Sequence, residues 1–238
     1  MKTYRFGKTY NATQASQFCK THTLPYRFLA YRDFPELIEG FPNINNVLDF
    51  GAGTGASTKH LVDHGYNVVG IDKSPAMIQR ARTNFPHIAF FHTDTLKLSF
   101  QFDLVFSSFV LFELKTKSDI ITYLNQAASS LKEGGIFYAI TGSAFLYQRE
   151  RDWTCFISDY SENSNPTSGS LVKVGLKDVD LGSYDYYWTE EDYKECFEAS
   201  DLTLVKTHYP LGFNTDPYSW QDEKSFSPFV TFVAQKTP

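Results

Sequence analysis

An acidic side chain and a glycine-rich turn lie together at residues 47–55, which read Val-Leu-Asp-Phe-Gly-Ala-Gly-Thr-Gly. Glycine at alternate positions lets the backbone approach a bound molecule closely and points free N–H groups at it. Asp49 stands where the apolar run ends, before the first glycine. A carboxylate there would repel a pyrophosphate and attract an ammonium group. The stretch therefore predicts a binding turn for a ligand that carries a positively charged nitrogen.

Two more acidic residues stand at the ends of later apolar runs. Asp72 ends Val-Val-Gly-Ile-Asp, and Asp94 follows Phe-Phe-His-Thr. An acid at the end of a second strand can accept hydrogen bonds from both hydroxyl groups of a ribose, as in nicotinamide-binding folds. Each acid alone could equally be a helix cap or a turn residue. Three acids and a glycine-rich turn at successive strand ends together favour a cofactor site.

The elements that must position these side chains alternate short apolar runs with helical stretches, which is typical of βα units in a parallel sheet. The predicted strands cover residues 47–50, 67–71, 88–91, 103–106, 135–140, 203–207 and 229–234. The predicted helices cover residues 58–65, 75–84 and 118–131, with one more beginning near Thr189. We expect an α/β fold with a Rossmann-like, doubly wound sheet. The sheet should be mostly parallel with a final antiparallel strand, and helices should cover both faces.

The 238 residues suit a single domain in four parts. Residues 1–44 should form an N-terminal helical lid, and residues 45–141 should form the cofactor-binding core. Residues 142–188 break the βα rhythm and should form an insertion on the substrate side, with a polar, turn-rich loop at 161–169. Residues 189–238 should supply a C-terminal helix and the last strands.

The stretch from residue 46 to about residue 140 resembles class I S-adenosylmethionine-dependent methyltransferases. It is similar to the small-molecule branch that includes quinone-biosynthesis enzymes. The resemblance implies an S-adenosylmethionine cofactor, released as S-adenosylhomocysteine, and methyl transfer to an O, N or C nucleophile of a metabolite. The cofactor-binding positions implied by the family's motifs are Asp49, Gly51, Ala52, Gly53, Gly55, Asp72, Lys73, Met77, Asp94, Thr95 and Ser107.

The same resemblance implies roles for individual residues. Asp72 would accept from the ribose hydroxyls, and Lys73 and Met77 would flank the adenine. Asp94 would accept from the adenine amino group while the backbone of Thr95 reads the ring edge. The run that contains Ser107 would face the methionine moiety and the substrate.

A carboxylate follows the fourth strand, where members of this family often carry a histidine. The run there is Val-Leu-Phe-Glu-Leu, which puts Glu113 in that place. Glu113 is therefore the candidate catalytic base or substrate anchor, with a helix-start carboxylate of no chemical role as the alternative. No histidine has metal-ligand spacing to another ligand type, so no metal site is expected.

Aromatic residues make up 17% of the chain and are dense in the N-terminal segment and the insertion. These are the regions that choose the acceptor in this fold. The candidate substrate-binding residues are Tyr26, Tyr31, Trp153 and Tyr187. An aromatic cage would suit a flat or cationic acceptor, although packing of the lid on the sheet is the alternative for each ring.

Charge and composition limit the classes of partner and the cellular locations that we expect for this protein. The net charge of −5, with no basic run, disfavours nucleic acid as a substrate. The three cysteines form no C-x-x-C pair, which favours a reducing cytosol. Neither a signal-peptide core nor a membrane-length apolar stretch is present, so we expect a cytoplasmic protein that does not bind a membrane. The oligomeric state is left open.

Two other classes share part of the pattern. A nicotinamide-dependent oxidoreductase would have the glycine-rich turn and Asp72, but the turn comes with Asp49 and does not open the chain. A non-catalytic S-adenosylmethionine-binding protein would keep both acids. Binding of S-adenosylhomocysteine or of NAD(H) separates the first class from a methyltransferase, and a turnover assay separates the second.

Overall fold

The computed structural model describes residues 10–41, 43–93, 100–177, 179 and 181–236. Its strands are β1 Asn46–Phe50, β2 Asn67–Asp72, β3 Ala89–His92, β4 Phe102–Ser108, β5 Leu131–Gly142, β6 Phe156–Ile157, β7 Leu171–Leu176, β8 Gly182–Tyr186, β9 Leu202–His208 and β10 Phe229–Lys236. Its α-helices are α1 Ala12–Phe18, α2 Pro25–Tyr31, α3 Phe34–Leu37, α4 Ala56–Asp63, α5 Pro75–Asn84, α6 Lys117–Ser130 and α7 Glu190–Glu198.

The main sheet has seven strands in the order β3-β2-β1-β4-β5-β10-β9. β1 to β5 pair in parallel, whereas β10 runs antiparallel to both of its neighbours. The carboxyl ends of the parallel strands therefore meet at one edge, where Phe50, Asp72 and Ser108 lie. The predicted Rossmann-like fold, mostly parallel with one antiparallel strand, is confirmed.

Both faces of the sheet are covered, which explains why its strands are almost continuous apolar runs. Val47 and Phe106 pack under α4 and the N-terminal helices. Leu48 and Val105 point the opposite way and pack under α6 and α7. Successive residues of one strand thus serve two separate cores, as the alternation of side chains along a strand requires.

The N-terminal segment, as far as it is described, is helical and attached to the sheet. Phe34 of this segment packs edge-on against Phe106 and Tyr138, at ring-centroid distances of 5.5 and 5.0 Å. His22 makes a hydrogen bond of 2.7 Å to Thr54 in the glycine-rich turn. Burial lowers the pKa of His22 to about 4, so this ring is neutral at neutral pH. The segment is thereby held over the carboxyl edge of the sheet.

The insertion contains a second sheet that the sequence did not predict. β6, β7 and β8 form an antiparallel three-stranded sheet in that order. Val172 and Val174 of β7 are buried against the main core, whereas residues 161–169 form only a short 3-10 turn and bends, as expected. The strands of the insertion were not among the predicted strands. β7 and β8 are adjacent in the chain, and Gly175 pairs with Gly182, but the residues between the strands contain no Asn-Gly or Asp-Gly dipeptide that would have predicted a two-residue hairpin turn.

The described residues contain neither a membrane-spanning helix nor a cluster of metal-ligating side chains. No helix there has both the length and the apolar character needed to cross a membrane. Within the same residues, no cluster of three or more His, Cys, Asp or Glu side chains could hold a metal ion.

Candidate functional site

A cavity of about 510 Å³ opens at the carboxyl edge of the sheet, beside the ends of β1, β2 and β4. Its floor is the turn after β1, and its sides include residues that follow β2 and β4. The predicted cofactor residues on its wall are Gly51, Ala52, Gly53, Asp72, Lys73 and Met77, and the candidate base Glu113 lies there too. The structure therefore brings together side chains that are far apart in the chain.

Glycine is needed at the three positions of the turn for different structural reasons. All three have positive φ angles, of +89° at Gly51, +53° at Gly53 and +91° at Gly55. A Cβ on Gly51 would lie 2.4 Å from Val110, and one on Gly55 would lie 2.8 Å from Phe85. A Cβ on Gly53 would meet no protein atom within 4 Å. Gly51 and Gly55 thus allow packing, whereas Gly53 leaves space for a ligand to approach the backbone.

Asp49 lies behind this turn and does not line the cavity. Its side chain is fully buried, and Oδ2 accepts hydrogen bonds from the Ser57 and Thr58 hydroxyls at 2.7 and 2.5 Å. Oδ1 has no hydrogen-bond partner among the described residues. Burial raises the pKa of Asp49 to about 6, since the hydroxyl donors offset only part of the desolvation. A buried oxygen without a donor is a vacant acceptor next to the cavity.

Asp72 joins the turn to the end of β2. Its Oδ2 accepts from the backbone N–H of Gly53 at 2.9 Å, and its Oδ1 accepts from that of Ser74 at 2.7 Å. Burial raises the pKa of this carboxyl, and the two backbone donors oppose the shift. A carboxylate accepts up to about four hydrogen bonds, so Asp72 keeps acceptor capacity for a ligand in the cavity that it lines.

Besides Asp49 and Gly55, the predicted cofactor residue Ser107 does not line the larger cavity. Ser107 is buried and shares a hydrogen bond of 2.8 Å with the Tyr123 hydroxyl, so it points toward α6. Its neighbour Ser108 points the other way and lines the cavity, because side chains alternate along β4. Asp94 and Thr95 lie outside the described residues, and their expected contacts with the adenine stay predictions.

Glu113 lies in a short 3-10 turn, Leu111–Glu113, shortly after β4. Its Oε1 accepts a hydrogen bond of 2.7 Å from the hydroxyl of Tyr10. Burial, followed by the charge of Glu113, raises the pKa of Tyr10 well above its usual range, so this phenol stays protonated. Glu113 is thus anchored by the N-terminal segment at the point where the cavity continues into a second one.

The second cavity has a volume of about 120 Å³ and shares a wall with the first. The residues that line both cavities are Tyr10, Phe18, Arg27, Phe109 and Glu113. The other walls come from β10 and from the second sheet, including Phe156, Val174 and Asp185. The insertion therefore encloses a small chamber directly beside the larger cavity.

Of the four aromatic residues expected to touch a substrate, only Tyr26 lines this second cavity. Tyr31 is buried, where it shares a hydrogen bond of 3.2 Å with Ser108. Trp153 is fully buried and donates from Nε1 to the Leu146 carbonyl at 3.3 Å. Tyr187 lies at a separate surface depression beside Tyr147. Tyr31, Trp153 and Tyr187 therefore lie off the wall of this chamber.

Arg27 was not singled out among the candidate substrate-binding residues, although it lines both cavities. It donates to the Thr21 carbonyl, the Thr21 hydroxyl and the Tyr31 hydroxyl, at 2.9 to 3.0 Å. It also lies 5.3 Å from the ring centre of Tyr26. No described carboxylate approaches it within 4.0 Å. The signal in the sequence was a lone arginine inside the apolar run Leu-Pro-Tyr-Arg-Phe-Leu.

Phe109 and Asp185 were also missed. Phe109 follows β4 with a φ of +63°, which is strained for a residue with a Cβ and is found mostly where function or packing imposes it. No sequence signal predicts this conformation. Asp185 lies in the aromatic run Tyr-Asp-Tyr-Tyr, and such an acid on a strand is normally expected to face solvent.

Asp185 is instead only 2% exposed. Its Oδ2 accepts a hydrogen bond of 3.1 Å from the Tyr147 hydroxyl, and Oδ1 has no partner among the described residues. Burial raises the pKa of Asp185 to about 7, and the negative charge of Glu113 adds to the rise. A carboxyl group in this state can exchange a proton near neutral pH.

Comparison with known proteins agrees with the fold. Residues 47–135 match the family model of a methyltransferase domain. An uncharacterised methyltransferase of Synechocystis sp. is 36% identical over 94 residues, which are 38% of this chain and 44% of that protein. A demethylmenaquinone methyltransferase of Tropheryma whipplei is 43% identical over 95 residues, 37% of this chain and 38% of that protein.

The likeness of the structure extends further than that of the sequence. A crystal structure of an S-adenosylmethionine-dependent methyltransferase from Clostridium acetobutylicum aligns with a TM-score of 0.66. The alignment covers 96% of this chain and 100% of that one at 16% identity. The chain thus has the fold of S-adenosylmethionine-dependent methyltransferases. It spans less than half the length of the two curated relatives described above.

Proposed function

Because residues 47–135 match the family model of a methyltransferase domain, we propose that this chain transfers the methyl group of S-adenosylmethionine to a small molecule. The larger cavity would hold the cofactor and the second cavity would hold the acceptor. The observation that carries the proposal is the shared wall, since two adjoining chambers of unequal size suit two ligands that must react with each other.

The residues of the larger cavity fit this cofactor in two respects. The open space beside Gly53 is a cradle that any side chain would fill, so a ligand can lie against the backbone there. The unpartnered Oδ1 of Asp49 supplies negative charge behind the turn, which suits the ammonium group of the methionine moiety. We assign Asp72 to the ribose hydroxyls, and Lys73 and Met77 to the faces of the adenine.

The bound cofactor would supply a methyl group that its sulfonium already activates. The chain has to hold the nucleophile in line with that group and keep water away. Phe18 and Phe109 give the shared wall an apolar surface, and the hydrogen bond from Tyr10 fixes Glu113 beside it. Glu113 would then orient the acceptor or take up a proton at this junction.

The size and the walls of the second cavity support a small acceptor rather than a nucleic acid. A volume of about 120 Å³ is comparable with the ~150 Å³ apolar cavity that accepts benzene. Most of its lining is aromatic or aliphatic, including Tyr26, Phe156 and Val174. We therefore assign the choice of acceptor to the N-terminal segment and the insertion, and O, N or C methylation of a metabolite to the reaction.

The cysteines bear on where this reaction would take place. Cys19, Cys155 and Cys196 form no disulfide with one another, and the last two are buried. Buried cysteines that form no disulfide with one another are compatible with a reducing compartment, so we propose a cytoplasmic location.

The proposed function is tested first by binding and then by turnover. Titration calorimetry should show binding of S-adenosylhomocysteine and none of NADH. Binding of NADH alone would favour an oxidoreductase instead. Incubation with S-adenosylmethionine labelled in its methyl group and with a panel of small amines, phenols and enolisable ketones should then give a labelled product. Tight S-adenosylhomocysteine binding without transfer to any of them would favour a non-catalytic binding protein.

A further inference from the structure

Phe109 interrupts the alternation of side chains where β4 ends. Ser107 shares a hydrogen bond with Tyr123 of α6, and Ser108 shares one with Tyr31 on the opposite face of the sheet. Continued alternation would turn Phe109 back toward α6. Its ring centre instead lies 6.3 Å from that of Tyr31, on the same side as Ser108. The left-handed φ of +63° at Phe109 accounts for this reversal.

Two contacts hold the backbone in this unfavourable conformation. The N–H of Phe109 donates to the Ile140 carbonyl of β5 at 2.8 Å, so the residue stays attached to the sheet. The next side chain, Val110, packs against Gly51, only 2.4 Å from the position that a Cβ would take there. Glycine adopts a left-handed backbone without steric cost, whereas phenylalanine does not. What phenylalanine adds at this position is therefore its ring.

Phe109 is one of the residues in the wall that the two cavities share, and its ring packs among other residues that line the second cavity. Its centre lies 5.7 Å from the ring centre of Tyr26 and 5.3 Å from that of Phe229. The guanidinium carbon of Arg27 lies 5.8 Å from it. Tyr26 and Phe229 are buried, whereas Phe109 is only half-buried. The side chain of Phe109 therefore lies in the lining of the second cavity, at its border with the larger one.

The size of this ring matters because the second cavity is small. Its volume of about 120 Å³ is less than the ~150 Å³ of an apolar cavity that accepts benzene, so it has room for about one ring. The side chain of phenylalanine itself ends in a benzene ring. Removing that ring from the shared wall would therefore free space for about one further ring, in the direction of the larger cavity.

We propose that Phe109 determines the size of the acceptor and restricts it to molecules with a single ring. This inference rests on the proposed function, because it assigns the acceptor to the second cavity. Phe109 takes no part in making or breaking bonds. Its strained backbone places the ring at the border between the cavities, and the ring limits how far an acceptor extends toward the cofactor.

The test compares two ligands that carry the same hydroxyl group and differ by one fused ring. Phenol and 2-naphthol are titrated by calorimetry into the full chain, with and without saturating S-adenosylhomocysteine. The parent should bind phenol at least about tenfold more tightly than 2-naphthol. Phe109→Ala and Phe109→Gly should each shift the ratio of the two affinities at least about tenfold toward 2-naphthol. Because each ratio is compared with that of the parent, the greater hydrophobicity of 2-naphthol cancels.

Phe145→Ala is the matched control. Phe145 is also a half-buried phenylalanine with ring contacts, to Tyr209 and Phe226, but it lines neither cavity. Phe145→Ala should lose stability and leave the ratio of the two affinities within about twofold of the parent. A shift in Phe145→Ala as large as in the Phe109 variants would show that a general loosening of the fold changes the ratio, and it would overturn the inference.

The two variants of Phe109 also test the strain, in a measurement that needs no ligand. Glycine makes the left-handed turn more readily than alanine, so Phe109→Gly should be the more stable variant. Denaturant unfolding should give an unfolding equilibrium constant about five- to thirtyfold smaller for Phe109→Gly than for Phe109→Ala. An equal or larger constant for Phe109→Gly would overturn the role of the strained backbone. The glycine variant also keeps the ligand test available if Phe109→Ala does not fold.

Other outcomes overturn the inference as well. If the parent binds 2-naphthol as tightly as phenol, or binds neither, the second cavity does not select a single ring. An unchanged ratio in both variants would remove Phe109 from acceptor selection, while S-adenosylhomocysteine binding and methyl transfer would leave the proposed function standing. If S-adenosylhomocysteine does not bind but the ratio shifts as expected, the proposed function fails while the size limit of the cavity stands.

Discussion

The backbone N–H of Gly53 donates a hydrogen bond of 2.9 Å to Oδ2 of Asp72, so the turn after β1 and the acid at the end of β2 form one unit. The carboxylate that is expected to hold the ribose also fixes the turn on which the rest of the cofactor would lie. A substitution at Gly53 and a substitution at Asp72 should therefore affect the same binding surface.

Replacing Asp72 with Ala should weaken S-adenosylhomocysteine binding by about 1–3 kcal/mol, because a buried charged acceptor is lost. The loss should be accompanied by a lower melting temperature, since the Gly53 and Ser74 amides lose their partner. Calorimetry and thermal unfolding measure the two effects separately. Asp63→Ala is the control, because this exposed acid on α4 pairs with Lys59 and with no other described residue. Unchanged affinity in Asp72→Ala would remove Asp72 from the site.

Replacing Gly53 with Val should abolish S-adenosylhomocysteine binding, because the side chain would fill the open space beside the backbone. The positive φ adds a backbone cost on the order of 1–2 kcal/mol. Gly65→Val separates the two effects, since Gly65 also has a positive φ, of +88°, and no atom near its Cβ position, but it lies beyond α4. Gly65→Val should lose similar stability and keep its affinity for the ligand. Equal affinities in the two variants would contradict the assignment.

Replacing Val174 with Phe should block the second cavity, because this buried residue of β7 lines it. We expect methyl transfer to fall at least about tenfold while S-adenosylhomocysteine affinity stays within about twofold. Overpacking should cost about 1–3 kcal/mol of stability, so melting curves accompany the assay. Val205→Phe on β9 is the control, since Val205 is exposed. Loss of cofactor affinity with acceptor binding retained would invert the roles of the two cavities.

The stability of the chain should depend on the pH through Asp185. Its pKa is about 7 in the folded state against 3.8 as the ordinary value, so between these limits the folded state holds a proton that the unfolded state releases. Raising the pH through this window therefore destabilises the folded chain. Asp185→Asn lacks this effect. Its free energy of unfolding relative to the parent should rise by on the order of 2–4 kcal/mol between about pH 4 and about pH 8.

Denaturant unfolding of both proteins at several pH values measures this difference. The other groups near Asp185 are Tyr10, Glu113, Tyr147 and Tyr193, and they are present in parent and variant alike. Their own titration therefore largely cancels in the comparison. A difference that does not change between the two pH limits would show that Asp185 titrates near its ordinary pKa.

The sequence was sufficient for the parallel half of the fold because each βα unit carries its own periodicity. For example, the neighbouring apolar residues Val47 and Leu48 already indicate that both faces of β1 are buried. The alternation could also have corrected one site residue, since it puts Ser107 and Ser108 on opposite faces of β4.

The substrate side could not be predicted in the same way. Whether Trp153 lines a pocket or fills a core depends on how the insertion folds back onto the sheet, which no short segment specifies. The burial of Asp185 depends on Tyr147, 38 residues earlier in the chain. The left-handed backbone of Phe109 is imposed by its surroundings, because its own residue type disfavours it.

The wall that the two cavities share has a consequence for the order of events in a catalytic cycle. Tyr10, Phe18 and Arg27 come from the N-terminal segment, so the same side chains would settle against whichever ligand arrives first. Such linkage is reciprocal, and each ligand must change the affinity for the other by the same factor. Initial-rate kinetics would then show that donor and acceptor change each other's affinity, rather than two independent saturation curves. A chain without the N-terminal segment would bind donor and acceptor independently.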